Sequence, residues 1–218
     1  MIYDITMKIH DLIKIFKKSN PNYKKSYSQL GEDLIINYIL NNILHTRSKS
    51  YLDIGTNHHI KINNTYLLYS ESECGVCVEP NEKLCNKIQK VRPKDTVICA
   101  GIGTKGNGTY YSLSSSTINT FSKKSVDLIK KSEYFGKQKV LEEKTIKLLH
   151  INDVIEENFK TCPSVLSLDT EGMDFEIIQS LNFDIYPIPI ICVETLEFDD
   201  KNNEYKNEKL ISFIVSKG

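Results

Sequence analysis

From Tyr51 onward, short unbroken apolar runs alternate with longer stretches whose apolar residues recur at helical spacing. The short runs are "SYLDIG", "GVCVEP", "DTVICAGIG", "SVLSLDTEG" and "IPIICVETLEF", and each predicts a strand. The longer stretches, "NNTYLLYSES", "NEKLCNKIQKV", "INDVIEENF", "MDFEIIQSLNF" and "NEKLISFIVSKG", predict helices. A strand that is apolar along its whole length has both faces covered. The alternation therefore predicts an α/β fold, a doubly wound, mostly parallel Rossmann-like sheet. Ligands bind such sheets beyond the carboxyl ends of the strands, so the strand ends are where chemistry is sought.

Residues 4–18 place Ile5, Ile9, Leu12, Ile13 and Phe16 at helical spacing with lysines opposite. They predict a helix packed on the main domain, with membrane-surface contact as the other use of such a face. "SNPNYKKSYSQ" is polar, contains Pro21 and reads as a linker. "SQLGEDLIINYILNNIL" predicts a second helix, with Ser28 as N-cap and Leu34, Ile35, Tyr38 and Ile39 as its apolar face. The predicted organisation is an N-terminal helical segment, 1–48, and a Rossmann-like domain, 49–218. Residues 104–150 are less regular. "GTYYSL" and "EKTIKLL" predict short strands, and the polar "SLSSSTINTFSKKS" is placed to serve as a lid or substrate loop at the sheet's carboxyl edge.

The 218 residues suit one domain with a sizeable core, and 28 basic residues balance 28 acidic ones. Balanced charge, without a basic stripe interleaved with aromatics, argues against a nucleic-acid partner. No apolar run is long enough to span a bilayer, and the N-terminus lacks the pattern of a signal peptide. The six cysteines include a C-x-x-C, Cys74 and Cys77, but no second pair follows at zinc-finger spacing. They read as buried, reduced thiols, for which the cytoplasm is the natural compartment.

The first strand ends in Asp53-Ile54-Gly55, followed by Asn57, His58 and His59. A glycine at this point lets backbone and ligand approach closely. A pyrophosphate cradle needs three glycines, and only Gly55 is present. A phosphate-free ligand fits better, and S-adenosylmethionine is one, its ammonium group balanced by Asp53. Glu79 ends the second strand a little over ~20 residues further on, where an acid accepts hydrogen bonds from ribose hydroxyls. The third strand ends in "CAGIG", whose Gly101 and Gly103 permit close approach and whose Ile102 suits a flat ring. In "LSLDTEG", Asp169 and Glu171 follow an apolar strand at i and i+2, so both carboxylates face one way. Three uses are open to them: taking a proton from a hydroxyl, binding a divalent cation, and stabilising the start of the following helix. Glu194 ends the next strand at the same edge. His58 is a further candidate base, and exposed or helix-start histidines are the ordinary alternative.

Taken together, "SYSQLGEDLIINYIL", "YLDIGTNHHIKINNTYLLY", "GVCVEPN", "RPKDTVICAGIG", "STINTFS", "LSLDTEGMDFEIIQSLNF" and "ICVETLEF" resemble the FkbM family of S-adenosylmethionine-dependent methyltransferases. The resemblance implies a class I methyltransferase fold and methyl transfer, usually to an oxygen of a sugar or other small metabolite. It implies that Asp53, Gly55 and Asn57 line the methionine end of the cofactor, that Glu79 holds the ribose, and that Ile102 and its neighbours flank adenine. Gln29 closes the cofactor site, while Asp169, Glu171 and Glu194 face the acceptor. Two departures stand out. His59 occupies a position where the family often has glycine, and the chain stops at "ISFIVSKG", where a final β-hairpin is expected. That missing hairpin leaves open a non-catalytic, methyltransferase-like binding module, and an exposed sheet edge would favour a homo-oligomer. A nicotinamide-dependent oxidoreductase is the other alternative, disfavoured by the single glycine.

Overall fold

The computed structural model describes residues 24–131, 138–198 and 204–217. The helix predicted for residues 4–18 lies outside them. The chain runs α1 (Glu32–Tyr38), β1 (Tyr51–Ile54), α2 (Tyr66–Ser70), β2 (Val76–Val78), α3 (Glu82–Val91), β3 (Thr96–Ile98), β4 (Gly101–Ile102) and β5 (Gly106–Leu113). It continues through α4 (Lys123–Lys131), β6 (Val140–Leu149), α5 (Ile151–Asn158), β7 (Val165–Leu168), α6 (Asp174–Ser180), β8 (Ile190–Val193), β9 (Leu196–Phe198), β10 (Glu204–Lys206) and α7 (Glu208–Val215).

Five strands form the central sheet in the order β3-β2-β1-β7-β8. Every neighbouring pair is parallel. The strand order reverses between β1 and β7, which opens a crevice at their carboxyl ends. β1 and β7 are buried at every position, as unbroken apolar runs require. Leu52, Ile54, Leu166 and Leu168 pack with Val154 and Ile155 of α5, Ile177 and Ile178 of α6, and Leu210 of α7. Among the described residues no hairpin extends this sheet beyond β8; β9 and β10 pair only with each other. No helix among the described residues is long and apolar enough to cross a membrane.

The less regular middle forms a second sheet in the order β4-β6-β5. The two strands predicted to be short are longer and run antiparallel from Gly106 to Leu113 against Val140 to Leu148. Val126 and Ile129 of α4 pack beneath them against Tyr111 and Leu113.

Local signals explain several helix ends. Asn81 caps α3 by accepting from the N–H groups of Lys83 and Leu84. The same helix stops at Arg92, directly before Pro93, because proline disfavours a helical conformation in its predecessor.

α1 departs from expectation in two ways. Gly31, at φ 96°, takes the N-cap position. Ser28 instead accepts from the N–H groups of Gly31 and Asp33 through its hydroxyl. The buried apolar residues are Ile36 and, in the wider helical turn Ile39–Ile43 that continues α1, Leu40; both pack with Tyr51, Leu68 and Val165, whereas Ile35 and Tyr38 are 61% and 55% exposed. Apolar residues occur all round this helix, so spacing alone does not select a face; the neighbouring strand does. The cysteines also correct the reading of six buried thiols. Cys85 and Cys99 form a disulfide, Cys74 is exposed and Cys77 is buried. α3 lies beside the end of β3, which brings together two cysteines 14 residues apart.

Candidate active site

The carboxyl ends of the central strands open into one cleft of about 630 Å³. Gly55 and Asn57 after β1, Glu79 after β2, Gly101 and Ile102 in β4, Asp169 and Glu171 after β7, and Glu194 after β8 all line it. Gln29 joins them from the N-terminal side. Its segment is tied down by Asp33, whose carboxylate accepts from Ser26 Oγ, Ser28 Oγ and the Tyr27 N–H. The Tyr27 carbonyl in turn accepts from the Asn63 N–H, fixing this segment against the loop that follows β1.

The turn after β1 requires its glycine. Gly55 sits at φ 82°, and a Cβ there would run into the Asp169 carbonyl oxygen. The N–H groups of Gly55 and Thr56 both donate to the Val78 carbonyl. Asn57 adopts φ 48° and donates its N–H to Glu79 Oε2 at 2.9 Å. Glu79 Oε1 accepts the Asn81 N–H at 2.8 Å. The Glu79 carboxyl is buried, which raises its pKa to about 7, and the two N–H groups oppose that rise. A carboxylate offers about four lone-pair sites, so donors from a ligand can still be accepted. Val78, Pro80 and Ile102 add apolar wall beside it.

At the other end, each of Asp169, Glu171 and Glu194 offers a carboxylate oxygen, and these lie within 4.8 Å of one another. That spread suits both a shared proton and a hard cation. The Asp169 and Glu194 side chains are open to the cleft, but protein walls surround the group and weaken its hydration. This desolvation pushes all three pKa values upward; the charges of Glu194 and Asp174 raise Asp169 and Glu171 further, and Asp169 adds to the rise of Glu171. Glu171 is held at φ 55°, a conformation costly for a side-chain-bearing residue. Thr120 Oγ1 stabilises it by donating to the Glu171 carbonyl at 2.7 Å.

Two expected site residues face elsewhere. Asp53 does not line the cleft. It is 3% exposed, and its Oδ2 accepts from Thr65 Oγ1 at 2.7 Å and Asn63 Nδ2 at 3.1 Å, with Arg92 Nη1 at 3.8 Å. The carboxylate is turned to a buried guanidinium and braces the turn from below. His58 is also absent from the lining. Its Nδ1 accepts the N–H groups of Ile60 and Lys61, and its ring stacks on His59 at 4.2 Å. The two rings stand side by side because the chain bends here and is not a strand.

Sequence reasoning missed the contributions of Glu32, Tyr110 and Phe121 to the cleft wall. The polar loop expected near the cleft does reach it, through Ser116, Thr117 and Asn119. Arg92 and Asn63 were also missed, although an arginine directly before proline with an aspartate three residues on was a visible sign.

A parallel sheet in this order, flanked by helices and opening at its strand ends, is that of a class I methyltransferase. Residues 53–218 match the methyltransferase FkbM domain, and the chain belongs to that family. No curated protein and no solved structure matches the chain.

Proposed function

We propose that this methyltransferase uses S-adenosylmethionine to methylate a hydroxyl oxygen of an uncharged small molecule, a saccharide or comparable polyol. The observation that carries this reading is one cleft holding a single buried acid at the tip of β2 and a group of acids at the tips of β7 and β8. The β7 and β8 tips lie two and three strand spacings from that of β2, ~10 and ~14 Å, enough for a nucleoside at one end and an acceptor at the other.

The residues fit the cofactor. Glu79 is fixed by two backbone donors with acceptor capacity left for ribose hydroxyls, and Val78, Pro80 and Ile102 present apolar surface for adenine. Asn57 and Gly55 bring backbone and a short amide close to the middle of the cleft. When bound, S-adenosylmethionine supplies a sulfonium-activated methyl carbon. The protein's work is then to align the acceptor oxygen and to receive its proton. Asp169 or Glu171 is the base: burial and like charge raise both pKa values, and the member of the pair that has given up its proton receives the one from the hydroxyl.

The lining also bears on the acceptor. Among the described residues it contains Glu32, Glu79, Asp169, Glu171 and Glu194, but no lysine, arginine or histidine. Around Asp169, Glu171 and Glu194 this disfavours an acceptor that carries a phosphate or carboxylate, by like-charge repulsion in a poorly hydrated space. Hydroxyls, by contrast, donate to free carboxylate oxygens.

Calorimetric titration with S-adenosylhomocysteine tests the cofactor half: binding is expected, and no heat overturns it. Asp169→Asn tests the acceptor half. Methyl transfer should fall at least about a hundredfold while affinity for S-adenosylhomocysteine stays within a few-fold; retained turnover removes Asp169 from the role of base.

A further inference from the structure

Among the described residues Arg92 is the largest fully buried side chain, and it lies outside the cleft. A buried guanidinium needs partners for its fork of N–H groups. Here every branch has one. Nε donates to Asp95 Oδ2 at 2.7 Å, Nη1 to Asn63 Oδ1 at 3.2 Å and Nη2 to Thr65 Oγ1 at 2.9 Å. Its plane lies among the rings of Tyr51, Tyr66 and Tyr69.

The partners lead directly to the turn after β1. Asn63 Nδ2 donates to Asp53 Oδ2 at 3.1 Å and to the Thr56 carbonyl at 3.4 Å. Thr65 Oγ1 meets Asp53 Oδ2, and Thr56 Oγ1 donates to the Asp53 carbonyl at 3.0 Å. Thr56 is the direct neighbour of Asn57, which donates to Glu79. Residues 57–65 contain no helix or strand, and two of them, Asn57 and Ile62, adopt positive φ. Regular backbone pairing therefore does not set this segment's shape. Side chains do: His58 caps the N–H groups of Ile60 and Lys61, and the network around Arg92 holds the two ends, at Thr56 and at Asn63 and Thr65.

We infer that Arg92 is a positioning residue: acting through Asn63, Thr65 and Asp53, it sets the turn that presents Asn57 to Glu79 and so tunes the affinity of the cofactor half of the cleft. This rests on the reading of that half as the nucleoside site. Lysine keeps a cation but loses the planar fork that reaches three partners at once.

The test uses the full chain and two readouts. In Arg92→Lys, amide hydrogen exchange of peptides covering 54–66 is expected to quicken about tenfold, and affinity for S-adenosylhomocysteine to fall about tenfold. Ile88→Ala, on the buried face of α3, is the control for general destabilisation: its melting temperature falls, but neither readout changes selectively. Thr65→Val removes only a hydroxyl from the network and should move both readouts in the same direction, which keeps the test available if Arg92→Lys does not fold. Unchanged exchange at 54–66, or equal quickening in Ile88→Ala, overturns the inference. If the unaltered protein gives no heat with S-adenosylhomocysteine, the cofactor reading fails, and the exchange comparison still decides whether Arg92 sets the turn.

Discussion

The backbone N–H of Asn57 donates to Glu79 Oε2 at 2.9 Å, so the turn after β1 and the tip of β2 behave as one unit. With the Asn81 N–H on its other oxygen, a single buried carboxylate organises two backbone segments around the cleft.

Glu79→Gln should weaken S-adenosylhomocysteine binding about tenfold, because an amide offers one acceptor oxygen where the carboxylate offers two. It should also change the dependence of stability on pH. Burial raises the Glu79 pKa from 4.5 to about 7, so the folded state holds this proton more tightly than the unfolded state does. Its contribution to stability is complete below pH 4.5 and declines as pH rises through 7. The variant lacks that decline. Melting temperatures across this range should shift in its favour as pH increases, and parallel curves contradict the assignment.

Glu194→Gln bears on the acid group. The Glu194 charge contributes to raising the pKa of both Asp169 and Glu171, after desolvation. Removing it lets these carboxyls lose their proton at lower pH. The rising limb of the pH–rate profile should therefore move toward acid, with cofactor affinity unchanged. A limb that stays in place, or moves toward base, argues against these carboxyls as the proton acceptor.

Gly55→Ala introduces a Cβ against the Asp169 carbonyl at a residue with φ 82°. Strain of about 1–3 kcal/mol from the backbone alone is expected, with the clash added to it. Urea denaturation measures the loss; a variant as stable as the parent would show that this turn can relax away from β7.

The corrected face of α1 gives a paired comparison. Ile36 is 3% exposed and Ile35 is 61% exposed. Ile36→Ala should cost about 2–4 kcal/mol, and Ile35→Ala within about 0.5 kcal/mol, in the same unfolding assay. Equal losses would return the helix to the face that spacing first suggested.

These residues also show what a linear reading can resolve. Five unbroken apolar runs revealed the parallel sheet, and each run's last residues marked a tip, which is how Glu79, Asp169, Glu171 and Glu194 were found at the cleft. The direction of Asp53 was not legible in this way. Alternation along a strand assigns a side chain to one of two faces, and the choice here depends on Arg92, far along the chain. Similarly, α1 is apolar on every side, so only the surface offered by Tyr51, Leu68 and Val165 selects Ile36 and Leu40. The turn at His58 was opaque for another reason: its shape comes from side-chain caps, which leave no periodic signature.

Thr120 Oγ1 grips the Glu171 carbonyl, and Thr120 belongs to the segment between β5 and β6, outside the central sheet. The acidic corner is thus a joint between two sheets: the central one, at whose strand ends the acids lie, and the β4-β6-β5 sheet, beside which Thr120 lies. A change confined to Thr120 would free the Glu171 backbone to re-aim, while Glu79 keeps the two donors that hold it, the N–H groups of Asn57 and Asn81.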